Sequence, residues 1–180
     1  MTETKIAILR GINLGATRKI LMQDLRSLCE GLGWTEVRTY IQSGNIIFTS
    51  HDELSDLEDT LEQAILEKYG FEVPVIVRDA AEFTESCSRN PLLELTDDHG
   101  HLYLTTLKTE PDQENIAEVL AADTGDDRLA IAGRYIFVYA KGSYHQTKLT
   151  NTFFERKLKV ACTTRNWKTT LKLIELSAKS

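Results

Sequence analysis

Val37-Arg38-Thr39-Tyr40-Ile41-Gln42-Ser43-Gly44-Asn45-Ile46-Ile47-Phe48-Thr49 decides how the first half of this chain is built. Two runs rich in β-branched and aromatic residues, 37–41 and 46–49, flank a turn holding Gly44-Asn45, which predicts a β-hairpin. On either side the apolar period changes. Upstream, residues 22–32 carry Leu25, Leu28, Cys29 and Leu32 on one helical stripe, and residues 5–9 read as a buried strand. Downstream, residues 53–68 form a strongly periodic helix with Leu54, Leu57, Leu61, Ile65 and Tyr69 inward, and residues 73–77 are a strand that Pro74 assigns to a sheet edge. Strand, helix, strand, strand, helix, strand is the ferredoxin-like pattern.

The second half repeats that order less clearly. A helix over 80–88 and an Asn90-Pro91 break lead to a strand at 102–107, a helix at 112–120 and a hairpin of 129–132 with 135–140 across Gly133-Arg134. A helix at 147–157, a strand at 160–163 and a last helix at 167–178 follow. The expected fold class is α+β: two tandem ferredoxin-like units, 1–90 and 91–180, the second with an extra terminal helix.

A chain of 180 residues with 42% hydrophobic content has ample material for a core, and no run reaches the length of a membrane span. The N-terminus lacks the apolar stretch of a signal peptide. Cys29, Cys87 and Cys162 are odd in number and far apart, which supports neither a disulfide framework nor paired zinc ligands and suits a reducing cytoplasm. His99 and His101 lack a third ligand in the vicinity, so no metal or cofactor is read.

Charge is unevenly spread. Residues 51–140 hold 6 Lys/Arg against 21 Asp/Glu, whereas residues 141–180 hold 9 against 2 and residues 1–50 hold 6 against 4. Three carboxylate-free polar clusters lie in the two positive ends: Arg10-Gly11-Ile12-Asn13-Leu14-Gly15, Tyr40 to Asn45, and Thr164-Arg165-Asn166-Trp167-Lys168-Thr169. In the ferredoxin-like order the first two strands run the same way and the third returns, so the first two clusters meet at one end of the first sheet. By the same logic 144–151 meets 164–168 in the second unit. Gly11 and Gly15 permit close backbone approach, but the loop is neither a dinucleotide fingerprint nor a P-loop.

The earlier helices place Asp24, Asp56, Glu82 and Glu114 near their starts, as the macrodipole prefers. The last two break this habit, with Lys148, Thr150 and Asn151 at one start and Arg165, Asn166 and Lys168 at the other. A cation there is unfavourable until a phosphate or carboxylate binds. Trp167 reads either as a stacking surface or as core, and Tyr135, Phe137 and Tyr139 alternate on one strand face as in RNA-binding sheets.

The segments Leu9-Arg10-Gly11-Ile12-Asn13, Tyr40 to Asn45, Lys148-Leu149-Thr150-Asn151 and Thr164-Arg165-Asn166-Trp167 resemble the signatures of the bacterial family catalogued as domain of unknown function 1697. The resemblance spans nearly the whole chain and implies a cytoplasmic protein of two ferredoxin-like units, with no established activity, ligand or catalytic residue. Ala16 stands where relatives often have a second glycine, and His145-Gln146-Thr147 where small or basic residues commonly precede the lysine.

The expected function is binding of a phosphate-bearing small molecule or nucleic acid by Lys148, Asn151, Arg165, Asn166, Trp167 and Lys168. Arg10, Asn13, Gln42, Ser43 and Asn45 supply a second polar surface or an opposite wall. Two alternatives stay open: a metal-independent enzyme acting on nucleotides, and a structural or oligomerisation module whose clusters are caps and turns. No membrane partner is expected, and the oligomeric state is not read from the sequence.

Overall fold

In a computed structural model that describes residues 3–179, the chain forms two four-stranded antiparallel sheets with helices. The fold class is α+β. Two compact units divide it, one of residues 1–85 with 173–180 and the other of residues 86–172, so the division falls after Glu85 and runs through the last helix.

The first unit contains β1 (Glu3–Leu9), α1 (Met22–Gly31), β2 (Thr35–Tyr40), β3 (Asn45–Ser50), α2 (Leu54–Tyr69), β4 (Val75–Asp79) and the first part of α3 (Ala80–Ser88). Its strand order is β2-β3-β1-β4. β1 pairs antiparallel with β3, Ile6 opposite Ile47, and with β4, Ile8 opposite Ile76. Alternation sends Ala7, Leu9, Ile46, Phe48, Val75 and Val77 into one cluster with Leu25 and Cys29 of α1 and Leu57, Leu61 and Ile65 of α2. This is the stripe read from the sequence. Trp34 stacks on Phe48 with ring centroids 3.9 Å apart, closing the hairpin side of that core.

β4 is a sheet edge, as Pro74 suggested, but it starts and ends two residues later than the sequence pattern placed it. Its outward backbone donors are not left to solvent. Val75 N donates to Glu62 Oε1 and Val77 N to Glu58 Oε1, each at 2.9 Å, so two carboxylates one helical turn apart on α2 satisfy the exposed side of the ladder. Glu58 is buried and also lies 3.8 Å from the guanidinium of Arg78, which is fully buried.

The second unit comprises β5 (Leu102–Leu107), α4 (Gln113–Ala121), β6 (Arg128–Ala132), β7 (Tyr135–Tyr139), α5 (Asn151–Leu158), β8 (Cys162–Asn166) and the first part of α6 (Trp167–Ser177). Its strand order, β6-β7-β5-β8, mirrors the first. Leu107, Val119, Ile136, Val138, Leu149, Phe154, Leu158 and Cys162 form its core. The three cysteines are unbridged and buried, and burial pushes the Cys29 thiol up to about 12.

In the second unit the start of α5 and the extent of β8 also differ from the sequence reading. α5 begins at Asn151 rather than 147, because Thr150 is its N-cap, accepting from Phe153 N at 3.2 Å, while the Thr147 hydroxyl donates to Asp127 Oδ2 at 2.6 Å. β8 runs to Asn166 instead of stopping at 163, so α6 follows it without a loop.

Candidate functional site

The first two polar clusters meet, as the topology required. Leu9 N donates to Gly44 O at 2.9 Å, and Asn13 Nδ2 donates to Gln42 O at 2.8 Å. Asn13 does more than bridge. Its Nδ2 also donates to Ile20 O at 2.9 Å, and its Oδ1 accepts from Ile20 N at 3.0 Å, so one amide clasps both ends of its own loop and the hairpin tip. Asn45 is fully buried, with Nδ2 donating to Tyr40 O at 2.9 Å and to Ser43 Oγ at 3.0 Å. These amides hold backbone in place. Gln42 is exposed, while Arg10 and Ser43 are half-buried.

The clasp sets an unusual run of left-handed residues: Gly11, Asn13, Gly15, Arg18, Ile41 and Gly44 all have positive φ. Gly44 is the tightest of these. A Cβ there would sit 2.8 Å from Ile12 Cδ1 and 3.0 Å from Leu9 Cβ, at φ +88°. Gly44→Ala should therefore lower unfolding free energy by about 2 kcal/mol, seen in urea melts as a lower midpoint with unchanged slope.

In the second unit, β5 pairs antiparallel with both β7 and β8, which puts the exits of those two strands at one end of the sheet. α5 starts against β8. Thr164 Oγ1 donates to Asn151 Oδ1 at 2.7 Å, and because that uses the Thr164 proton, the fully buried Thr105 hydroxyl donates to Thr164 at 2.6 Å. Cys162 Sγ lies 3.7 Å from the same Asn151 oxygen. Asn151 thus fastens α5 to the sheet.

Arg165 NH1 donates to Thr163 Oγ1 at 2.9 Å and to the Thr164 carbonyl at 3.1 Å. Part of its surface is accessible, yet crowding by protein pushes its pKa down to about 10, so it stays charged at neutral pH. Asn166 is exposed and caps α6, its Oδ1 accepting from Thr169 N at 2.8 Å. Trp167 is 3% exposed, which withdraws its indole from solvent, and Lys168 projects outward. Neither α5 nor α6 has an acid in its first turn, whereas α1 to α4 carry Asp24, Asp56, Glu82 and Glu114.

Lys148 departs from the expected grouping. It lies outside α5 and lines a cleft of about 560 Å³ with Asp123, Asp126, Asp127 and Lys141, where Lys141 Nζ is 3.2 Å from Asp126 Oδ2. It shares that cleft with three aspartates and a second lysine. Of the aromatic row of β7, Tyr135 and Phe137 are buried at 3% and 1% exposed, while Tyr139 is half-buried.

One aromatic pair escaped the sequence reading. Tyr103 on β5 pairs directly with Asn166 across the ladder, and its ring lies 4.6 Å from that of Tyr144 at an angle of 33°. Both tyrosines are partly exposed. Residues 41 positions apart give no local signal, and only the register brings them together beside the start of α6.

A family model described as "Protein of unknown function (DUF1697)" matches residues 1–137. The chain belongs to that family. Among solved structures, this DUF1697 protein is similar to the conserved bacterial protein SP0830 from Streptococcus pneumoniae, with 26% identity over 98% of this chain and 99% of that one, and a TM-score of 0.80. A search of curated proteins finds no match. Among the described residues, no helix is long and apolar enough to cross a membrane.

Proposed function

We propose that this DUF1697 protein binds a small phosphate-bearing ligand at the start of α6, with Lys168 and Asn166 in contact and Arg165 adding fixed positive charge from β8. The observation that carries this reading is the reversal of helix-end chemistry: α6 opens with an exposed lysine and no acid, where four earlier helices open with a carboxylate. Asn151 orders the neighbouring helix, and Lys148, amid aspartates, stands at most at the rim. The Tyr103–Tyr144 pair beside Asn166 offers a ring surface, which favours a nucleoside phosphate over inorganic phosphate.

For the first unit, the hydrogen bonding of Asn13 and Asn45 supports the scaffold reading of those clusters. We take each unit to be ferredoxin-like on its element order and strand order, and a bacterial cytoplasm as the setting, since three unbridged buried cysteines suit reducing conditions.

Equilibrium dialysis at low salt tests the proposal. Lys168→Ala should weaken binding of a nucleoside monophosphate about tenfold, the loss of one charge-assisted contact, and added salt should weaken the wild type progressively. Equal affinity in the wild type and Lys168→Ala contradicts the assignment.

A further inference from the structure

β6, at the edge of the second sheet, leaves backbone hydrogen-bonding groups open. Leu107 N donates to Arg134 O at 2.8 Å, which turns the backbone groups of Arg134, Ile136 and Val138 toward β5. Those of Tyr135, Phe137 and Tyr139 therefore face β6, where they meet Ala132, Ala130 and Arg128. The N–H and C=O of the residues between, Leu129 and Ile131, point away from the sheet, and among the described residues none takes them. Arg128 and Ala132 are exposed and the three residues between them half-buried.

Two other edges are guarded. The outward N–H groups of β4 are taken by Glu58 and Glu62, and β2 breaks its register between Thr35 and Arg38, with Glu36 at φ +52°. β6 has neither device. Its pairing with β7 runs from Arg128 to Ala132 without a shift, and Arg128-Leu129-Ala130-Ile131-Ala132 holds no proline, lysine or carboxylate. The order of residues in β6 specifies what covers it. Set antiparallel to itself about Ala130, the strand brings Leu129 opposite Ile131 of the second copy and Ile131 opposite Leu129. The open groups of one copy then meet those of the other in hydrogen-bonded pairs, and every one is satisfied. Both side chains already pack against the core of the second unit, so the aliphatic pairs continue that layer. Charge agrees with this direction. Exposed Asp123 and Asp126 precede β6 and Arg134 follows it, so antiparallel pairing sets the acidic end of each copy beside the arginine of the other.

We propose that β6 pairs antiparallel with β6 of a second copy of this chain about a two-fold axis at Ala130, making one sheet continuous through both copies. The same strand meets itself, so the contact closes as a dimer and adds no further copies. It uses no residue at the start of α6 and is independent of any ligand there.

Sedimentation equilibrium over a wide range of protein concentration tests the association, and cysteine crosslinking tests its register. The expected mass moves from one chain to two, and no further, as concentration rises. Ala130 faces its own counterpart across the axis at a non-hydrogen-bonded site with Cα atoms about 4.5 Å apart, whereas Ala132 lies roughly 13 Å from its own along the strands. Because Cys29, Cys87 and Cys162 are buried, oxidised glutathione should join Ala130→Cys into disulfide-linked pairs and leave Ala132→Cys as single chains. Ala130→Lys sets like charges across the axis and should weaken association about tenfold. The cysteine variants, which change the strand least, carry the test even if the lysine variant loses its fold. A monomer at every concentration overturns the proposal, as does equal crosslinking of the two cysteine variants. So do assemblies larger than two chains, or a dimer that a folded Ala130→Lys leaves undiminished.

Discussion

Glu58→Ala should destabilise the first unit by about 3 to 5 kcal/mol. The carboxylate is buried, accepts from Val77 N on the edge strand and faces the fully buried Arg78 guanidinium. Removing it takes a negative charge from beside a desolvated cation and leaves a strand N–H without its acceptor. Two penalties of the expensive kind then act together. Glu58→Gln separates them, since an amide oxygen still accepts from Val77 N but carries no charge. Chemical denaturation of the three proteins should rank wild type above Gln above Ala. Near-equal stability of wild type and Ala would show that the edge of β4 is held by other contacts.

The second large effect is expected at Asn13, whose amide makes three hydrogen bonds to backbone atoms from a left-handed conformation, φ +57°. Asn13→Ala loses those bonds and places alanine where asparagine is tolerated better, for a combined cost of about 3 kcal/mol. In a chain of this size that corresponds to a fall in Tm of about 6 to 12 °C. Asn13→Gly relieves the backbone part only and should fall between the two. The backbone amide of Ile20, which donates to Asn13 Oδ1, should gain exchange with solvent in Asn13→Ala and in Asn13→Gly. Asn13→Ala with native Tm would mean the loop is self-supporting.

These two sites show where the sequence was readable and where it was not. Helices with a regular apolar stripe were legible, α2 above all, because Leu57, Leu61 and Ile65 repeat at the helical period and all reach the core. So was the meeting of the first two clusters, since strand direction alone brings residue 13 beside residue 42. Glu58 and Glu62 were not legible as strand caps. Two acids one turn apart look like a solvated helix face, and only the packing of α2 beside the β4 edge gives them backbone donors. The start of α5 was misplaced for a similar reason: Asp127, 20 residues away, takes the Thr147 hydroxyl and leaves capping to Thr150. That same loop explains Lys148. A cation beside a helix start in sequence lies in space with Asp123, Asp126 and Asp127.

The proposed anion site rests on the α6 half of the expected grouping, and the Tyr103–Tyr144 pair is offered there as its ring surface. The scaffold around it is firm. Thr105, Thr164 and Asn151 form a hydrogen-bonded chain that fixes the start of α5 on β8, and Asn166 fixes the start of α6. With such a frame under an exposed lysine, the proposed phosphate would meet donors already in place, which reduces the ordering cost of binding.

Backbone amide NMR of the wild type during titration with a nucleoside monophosphate is the most direct measurement. The account predicts saturable shifts centred on Trp167, Lys168 and Thr169, with smaller shifts at Tyr103 and Tyr144, all lost in Lys168→Glu. Saturable shifts confined to other residues, or none at the start of α6, would contradict it.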